Sequence, residues 1–256
     1  MFLLKKKRAI SNLTILIVAV IIVAALIGTV IMSGLLPSLG GKIVGSGNLK
    51  TEVMEFSDFS ALDIGYGFEV EITRSSSYSV SITGDRNVFN RIEVSKSGDN
   101  LRIGLKPGIV YSRLTLKAKI TLPELVNFEA SGGTHGTVEG FNASNKFVLE
   151  LSGGSNIRMM DMVFEELDAD LSGGSSIEID GEATDLTLEA SSGSSLDLED
   201  LQVHDANIVL SGGSHGTIKL DGRLDADLSG GSRLEYIGEP TMGNITTSGG
   251  SSIRAK

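Results

Sequence analysis

The chain has no cysteine and no tryptophan among its 256 residues, and only three histidines and four tyrosines. Without cysteine there is no disulfide framework, no thiolate nucleophile and no thiolate-ligated zinc. That composition fits an exported protein. Without tryptophan, the Trp-Asp signature of propeller blades is absent. Aromatic platforms of the kind that usually line polysaccharide-cleaving clefts are scarce. An excess of basic charge is missing as well. Residues 1–41 hold four basic and no acidic residues, whereas the remainder holds 18 basic and 32 acidic residues, a net of −14. Such a surface repels nucleic acid and anionic headgroups, which argues against nucleic acid as a partner. It also keeps an outward-facing rod soluble.

Glycine, by contrast, is abundant, and its placement is periodic. Ser-Gly-Gly-Ser or a close variant begins at Ser131, Ser152, Ser172, Ser191, Ser211, Ser229 and Ser248, at steps of 21, 20, 19, 20, 18 and 19 residues. A period that steady marks one supersecondary unit stacked on itself. Around the markers the pattern alternates with period two, as in Asp170–Gly181, where Leu171, Ile177 and Ile179 oppose Asp170, Glu178 and Asp180. That is the pattern of half-buried strands. Like positions form apolar columns: Ile157, Ile177, Leu196, Leu234 and Ile253, then Met159, Ile179, Leu198, Ile218 and Tyr236. The expected fold is all-β, a right-handed parallel β-helix of about seven regular coils, rising about 4.8 Å per coil.

Other readings of the period fail. Paired glycines cost about 1 kcal/mol each in a helix interior. The leucine-rich pattern and the nine-residue calcium-binding repeat are both absent. The marker itself reads as a corner, with glycine supplying positive φ and serine hydroxyls satisfying turn amides. A phosphate cradle would need the loop to open a helix. Gly212–Gly216 matches the G-x-S-x-G nucleophile elbow. The elbow requires a strand-to-helix turn, so the match reads as a by-product of the repeat.

Residues 1–9 form a basic segment containing Lys5, Lys6, Lys7 and Arg8, and residues 10–32 are an uncharged apolar run. Twenty-three helical residues span about 35 Å, enough to cross a bilayer. The charge bias puts the N-terminus in the cytoplasm and the rest outside. No clean A-x-A site follows the run, so it reads as an uncleaved single-pass membrane anchor. Lys6–Ser11 also resembles the processing site of archaeal pilin-like proteins, which implies cleavage after Ala9 with the helix retained; Thr14 stands where many pilins carry Glu. Residues 33–48 form a linker, with Gly40–Gly47 expected to be flexible.

The remaining residues, 49–256, form one domain. Its first part, 49–128, alternates at Gly67–Thr73, Tyr78–Ile82, Arg91–Val94, Leu101–Ile103 and Leu114–Ala118, with turns expected at Gly84-Asp85 and Gly98-Asp99. Degenerate coils that cap the solenoid are the natural account. The regular repeats occupy 129–256. At the C-terminal coil, Arg254 and Lys256 act as charged guards on an exposed sheet end, or that end pairs with another subunit.

Several of these stretches together resemble the head GIN domain proteins, a family proposed to be auto-transporter adhesins. The carriers are Phe56-Ser57-Asp58-Phe59 with Leu62, then Gly67–Ile72, then Ile120-Thr121-Leu122-Pro123-Glu124-Leu125 leading into Ser131-Gly132, and the later markers. The resemblance covers roughly residues 49–256. It implies an exported parallel β-helix on a cell envelope and carries no catalytic residues.

Candidate sites follow from the columns. Glu150, Asp170, Glu189 and Asp227 share one outward column interrupted by Val209, and stacked carboxylates could recruit calcium through oxygen ligands. His135 and His215 occupy equivalent positions four coils apart, about 19 Å, too far to share one ion. His204 lies elsewhere in its repeat. Asn142-Ala143-Ser144 and Asn244-Ile245-Thr246 match the N-glycosylation acceptor pattern, and Asn12-Leu13-Thr14 matches only within the apolar run. No catalytic pair stands out and no cofactor is expected. The reading is a membrane-anchored, non-enzymatic surface solenoid for adhesion to a surface glycan or protein, or for envelope architecture, with self-association through the C-terminal coil as a further partner. Alternatives are a polysaccharide-active β-helix enzyme and a pilin-like subunit.

Overall fold

The structure is a computed structural model and describes residues 40–256. The basic segment 1–9, the apolar run 10–32, the Ala9 processing site and residues 33–39 of the linker lie outside the described residues. Among the described residues no helix is long and apolar enough to cross a membrane. The one helical element there is a single 3-10 turn, Phe89–Arg91.

These residues divide into two units. Strand Gly40–Val44 pairs with Ile109–Ser112 in a two-stranded sheet. The flexible linker expected over Gly40–Gly47 is therefore corrected in its first half.

The larger unit is a parallel β-solenoid of about six turns, not the seven coils expected. In each turn a first face runs up to the corner, a second face leaves it, and a third face follows a bulge. The turn around Ser172 shows all three. Residues 166–171 pair with 185–190, Asn156–Met159 with Ser176–Ile179, and Met162–Phe164 with Gly181–Ala183, all parallel and in register. Alternation then dictates the core. On the first face Leu62, Phe128, Leu149, Ala169, Leu188, Ile208 and Ala226 stack inward through successive pairings and are buried. On the second face the expected column of Ile157, Ile177, Leu196, Leu234 and Ile253 is present, with Gly216 interposed.

The corner chemistry repeats at six of the seven markers. At Ser172–Ser175, Gly173 and Gly174 take φ of 64° and 74°, the left-handed pair of a type I′ turn. The Ser175 amide donates to the Ser172 carbonyl at 3.3 Å, and the Ser175 hydroxyl donates to the same oxygen at 2.7 Å. The hydroxyls of Ser155, Ser194, Ser214 and Ser232, and of Thr134, repeat this bond. All six residues are buried. The serines thus satisfy turn carbonyls, where turn amides were expected. A buried hydroxyl without a partner would cost more than it contributes.

Residues 49–128 differ from a run of degenerate coils. Ala61–Ile64 and Glu69–Arg74 form a true coil, and their parallel partners below are Asn100–Leu105 and Leu116–Leu122. Over that base lie antiparallel strands: Leu49–Met54 on Ser79–Asp85, Ser79–Asp85 on Leu116–Leu122, and Ile92–Ser97 on Asn100–Leu105. The turn expected at Gly84 falls inside a strand, and that at Gly98-Asp99 is present. An antiparallel cap closes a parallel stack because its hairpins need no further coil beneath them.

Candidate functional site

Alternate residues of the first face point inward, so the residues between them build a flat outer surface. One outer column runs Arg102, Asp63, Glu129, Glu150, Asp170, Glu189, Val209 and Asp227 through in-register pairing. The four carboxylates named from the sequence are all in it, broken by Val209 as expected. The structure lengthens the ladder by Asp63 and Glu129. Asp63 was hidden because the chain leaves the solenoid between residues 64 and 127 to build the cap, whereas Glu129 stands one 21-residue step before Glu150 and was legible in the period but not drawn from it. Five carboxylates therefore stand next to one another at about 4.8 Å steps. Arg102 ends the row, with Nε 3.3 Å from Asp63 Oδ2. Glu129, between two like charges, has its pKa raised by partial burial first, then by Asp63 and Glu150.

A parallel column runs Lys146, Glu166, Asp185 and Asp205, and the Arg223 amide reaches Asp205 Oδ1 at 2.6 Å. Cations stand only at its ends. Lys146 Nζ is 3.2 Å from Glu166 and 2.6 Å from Asp168. Arg223 grips Asp225 with both Nε (2.6 Å) and Nη2 (2.9 Å). Those bonds, with the Asn244 amide, hold Asp225 down at about 2. Between the ends, Asp185, Asn207 and Asp205 line a shallow trough of about 370 Å³.

This face can attract cations or hydrogen-bond donors over its whole length. Its side chains point outward in parallel, and among the described residues no group of three or more Asp, Glu or His converges on a point where an ion could sit. The histidines are equally dispersed. His135 and His215 are four pairings apart, as counted. His215 Nε2 is 3.2 Å from the Ser195 hydroxyl. His204 Nδ1 is 2.9 Å from Asp221, which raises its pKa. Ser214, the serine of the nucleophile-like pattern, is fully buried and donates to the Ser211 carbonyl at 2.8 Å. It is a corner residue whose hydroxyl is spent on that carbonyl, while the adjoining His215 bonds Ser195 instead. Asn142 and Asn244 are both exposed.

One corner went unnoticed in the sequence. Gly65-Tyr66-Gly67-Phe68 occupies the place of a marker, because Ala61–Ile64 and Glu69–Thr73 pair with the strands flanking Ser131–Thr134. Its only signal is Gly-x-Gly between two alternating runs.

Comparison with known proteins gives a consistent picture. The model of the family described as "Putative auto-transporter adhesin, head GIN domain" matches residues 58–240. The structure resembles a "putative adhesin" from Bacteroides fragilis, with a TM-score of 0.77 and 19% identity, over 84% of this chain and 100% of that one. It also resembles a "putative lipid binding protein" from Parabacteroides distasonis (TM-score 0.65, 19% identity, 84% and 99% covered). A "putative adhesin" from Parabacteroides merdae matches at a TM-score of 0.57 and 20% identity, with the same coverage. At these identities the likeness is one of fold. No curated protein matches the chain.

Proposed function

The chain belongs to the head GIN domain family, and from that premise we propose that it is an outward-facing, non-enzymatic adhesive module held at the cell membrane by its N-terminal apolar run. The basic residues before residue 10 and the uncharged stretch after it support this orientation. The observation that carries the adhesive reading is the flat, carboxylate-rich first face, which runs from Asp63 to Asp227 with one break at Val209. A rigid surface of repeating polar groups suits many weak, simultaneous contacts with an extended ligand, whose strength comes from multiplicity. The same regularity spreads the carboxylates evenly and singles out no acid–base pair of the kind glycoside cleavage uses.

The test is co-sedimentation of the full-length chain with polysaccharide isolated from the host envelope, with and without millimolar calcium. Saturable binding with unchanged polymer length is expected. Absence of binding in both conditions would overturn the adhesive role, and shortening of the polymer would establish an enzyme instead.

A further inference from the structure

At the first of the two left-handed corner positions, six of the seven later corners carry glycine, and the other carries Ser192. The opening corner puts Tyr66 there, at φ 64°. A residue with a Cβ pays about 1–2 kcal/mol for that conformation, and burial does not offset it, since Tyr66 is 47% exposed. Strain retained at an exposed aromatic points to use.

The surroundings of Tyr66 are built for its ring. Gly104 lies beneath it, so close that a Cβ on Gly104 would stand 3.3 Å from the ring carbons Cδ2 and Cε2. Two residues on, about 7 Å along an extended chain, the Lys106 carbonyl accepts a hydrogen bond from the Tyr111 hydroxyl at 3.0 Å. The Tyr66 ring over Gly104 and the Tyr111 hydroxyl on Lys106 thus stand two residues apart along the same stretch of chain, and partial burial raises the Tyr111 pKa. The adjoining strand brings Glu93 opposite Gly104 and Arg91 opposite Lys106, whose amide donates to the Arg91 carbonyl at 2.9 Å.

We infer that Tyr66 and Tyr111, flanked by Arg91 and Glu93, form a carbohydrate-binding platform at the capped end of the solenoid. The exposed ring of Tyr66 and the half-buried ring of Tyr111 beside it offer apolar surface that fits the faces of pyranose units. A guanidinium donor and a carboxylate acceptor beside them match sugar hydroxyls, which both accept and donate. A ligand of a single charge would call for flanking groups of one sign. This site rests on the adhesive reading above and names its ligand class.

The lack of tryptophan makes tyrosine emission a direct reporter. The full-length chain, in a sugar-free detergent, is titrated with cellohexaose, chitohexaose, mannohexaose and host envelope polysaccharide, and affinities are taken by calorimetry. At least one probe is expected to change the emission saturably. Tyr66→Gly and Tyr111→Ala should each weaken that binding by about tenfold or more, while Tyr111→Phe keeps it. Tyr66→Gly restores the glycine of the other corners, so its melting temperature should hold. Binding by Tyr66→Gly equal to that of the parent would overturn the platform, as would sedimentation with envelope polysaccharide without any change in emission. In both cases the adhesive role would stand. Failure to sediment with polysaccharide at all would overturn the adhesive role itself.

Discussion

Gly181 shows how far single residues are committed by the stacking. Its φ is 142°, and a Cβ there would lie 1.9 Å from the Met162 carbonyl oxygen of the coil below. Gly181→Ala should therefore cost about 3 kcal/mol or more, read as a fall in the denaturation midpoint. Gly174→Ala, whose Cβ would meet open space, carries only the penalty of its positive φ, about 1–2 kcal/mol. Glu129 is the electrostatic counterpart. Its folded pKa is raised, so its contribution to stability is fully present below the ordinary Glu value of about 4.3 and is lost as pH rises through the folded value. Glu129→Gln should consequently melt higher than the parent at neutral pH and low salt, with the gap closing near pH 4. Asp225 has the opposite sign. With its pKa lowered to about 2, its contribution holds above the ordinary Asp range and is lost as pH falls toward 2.

At the scale of elements, the solenoid strands and corners were legible in the sequence and the cap was not. Columns such as Ile157, Ile177 and Leu196 follow from a strict period, because stacked coils put like positions over one another. The corner at Gly65–Phe68 escaped because it and the next corner are separated by the residues that form the cap. Alternation in Ser79–Asp85 and Ile92–Ser97 predicts a strand but not its direction of pairing, so their antiparallel pairing was hidden. Residues 45–47 read as flexible for a similar reason. Their order comes from distant partners. Buried Asp85 accepts from the Gly47 amide at 2.6 Å and the Thr115 amide at 2.7 Å, and Asn87 accepts from Ser46 and donates to the Val44 carbonyl. Asp85→Ala would leave two amides without acceptors, at about 1–3 kcal/mol each. The expected result is a loss of about 3 kcal/mol with faster proteolysis at residues 44–48; unchanged protection of that segment would contradict the clamp.

At the scale of the whole molecule, the same repeat that builds the core builds the surface. Inward positions are apolar and interchangeable from coil to coil, so outward positions are free to form rows of carboxylates. The column of Glu150, Asp170, Glu189 and Asp227 was readable from the spacing alone. The same spacing reaches Glu129, one step before Glu150, but the extension to Asp63 and Arg102 was not readable, because those two residues reach the face from outside the period. A face of like charges at strand spacing destabilises itself at low ionic strength. Added salt should therefore raise the melting temperature. Calcium should do no more than magnesium at equal concentration, and a shift specific to calcium would reveal a bound ion. The measurement that bears most directly on the central claim is retention under flow of cells carrying the full-length chain, compared with cells lacking it, on a surface coated with host envelope polysaccharide. The account predicts stronger retention of the cells that carry the chain. Equal retention of the two would contradict it.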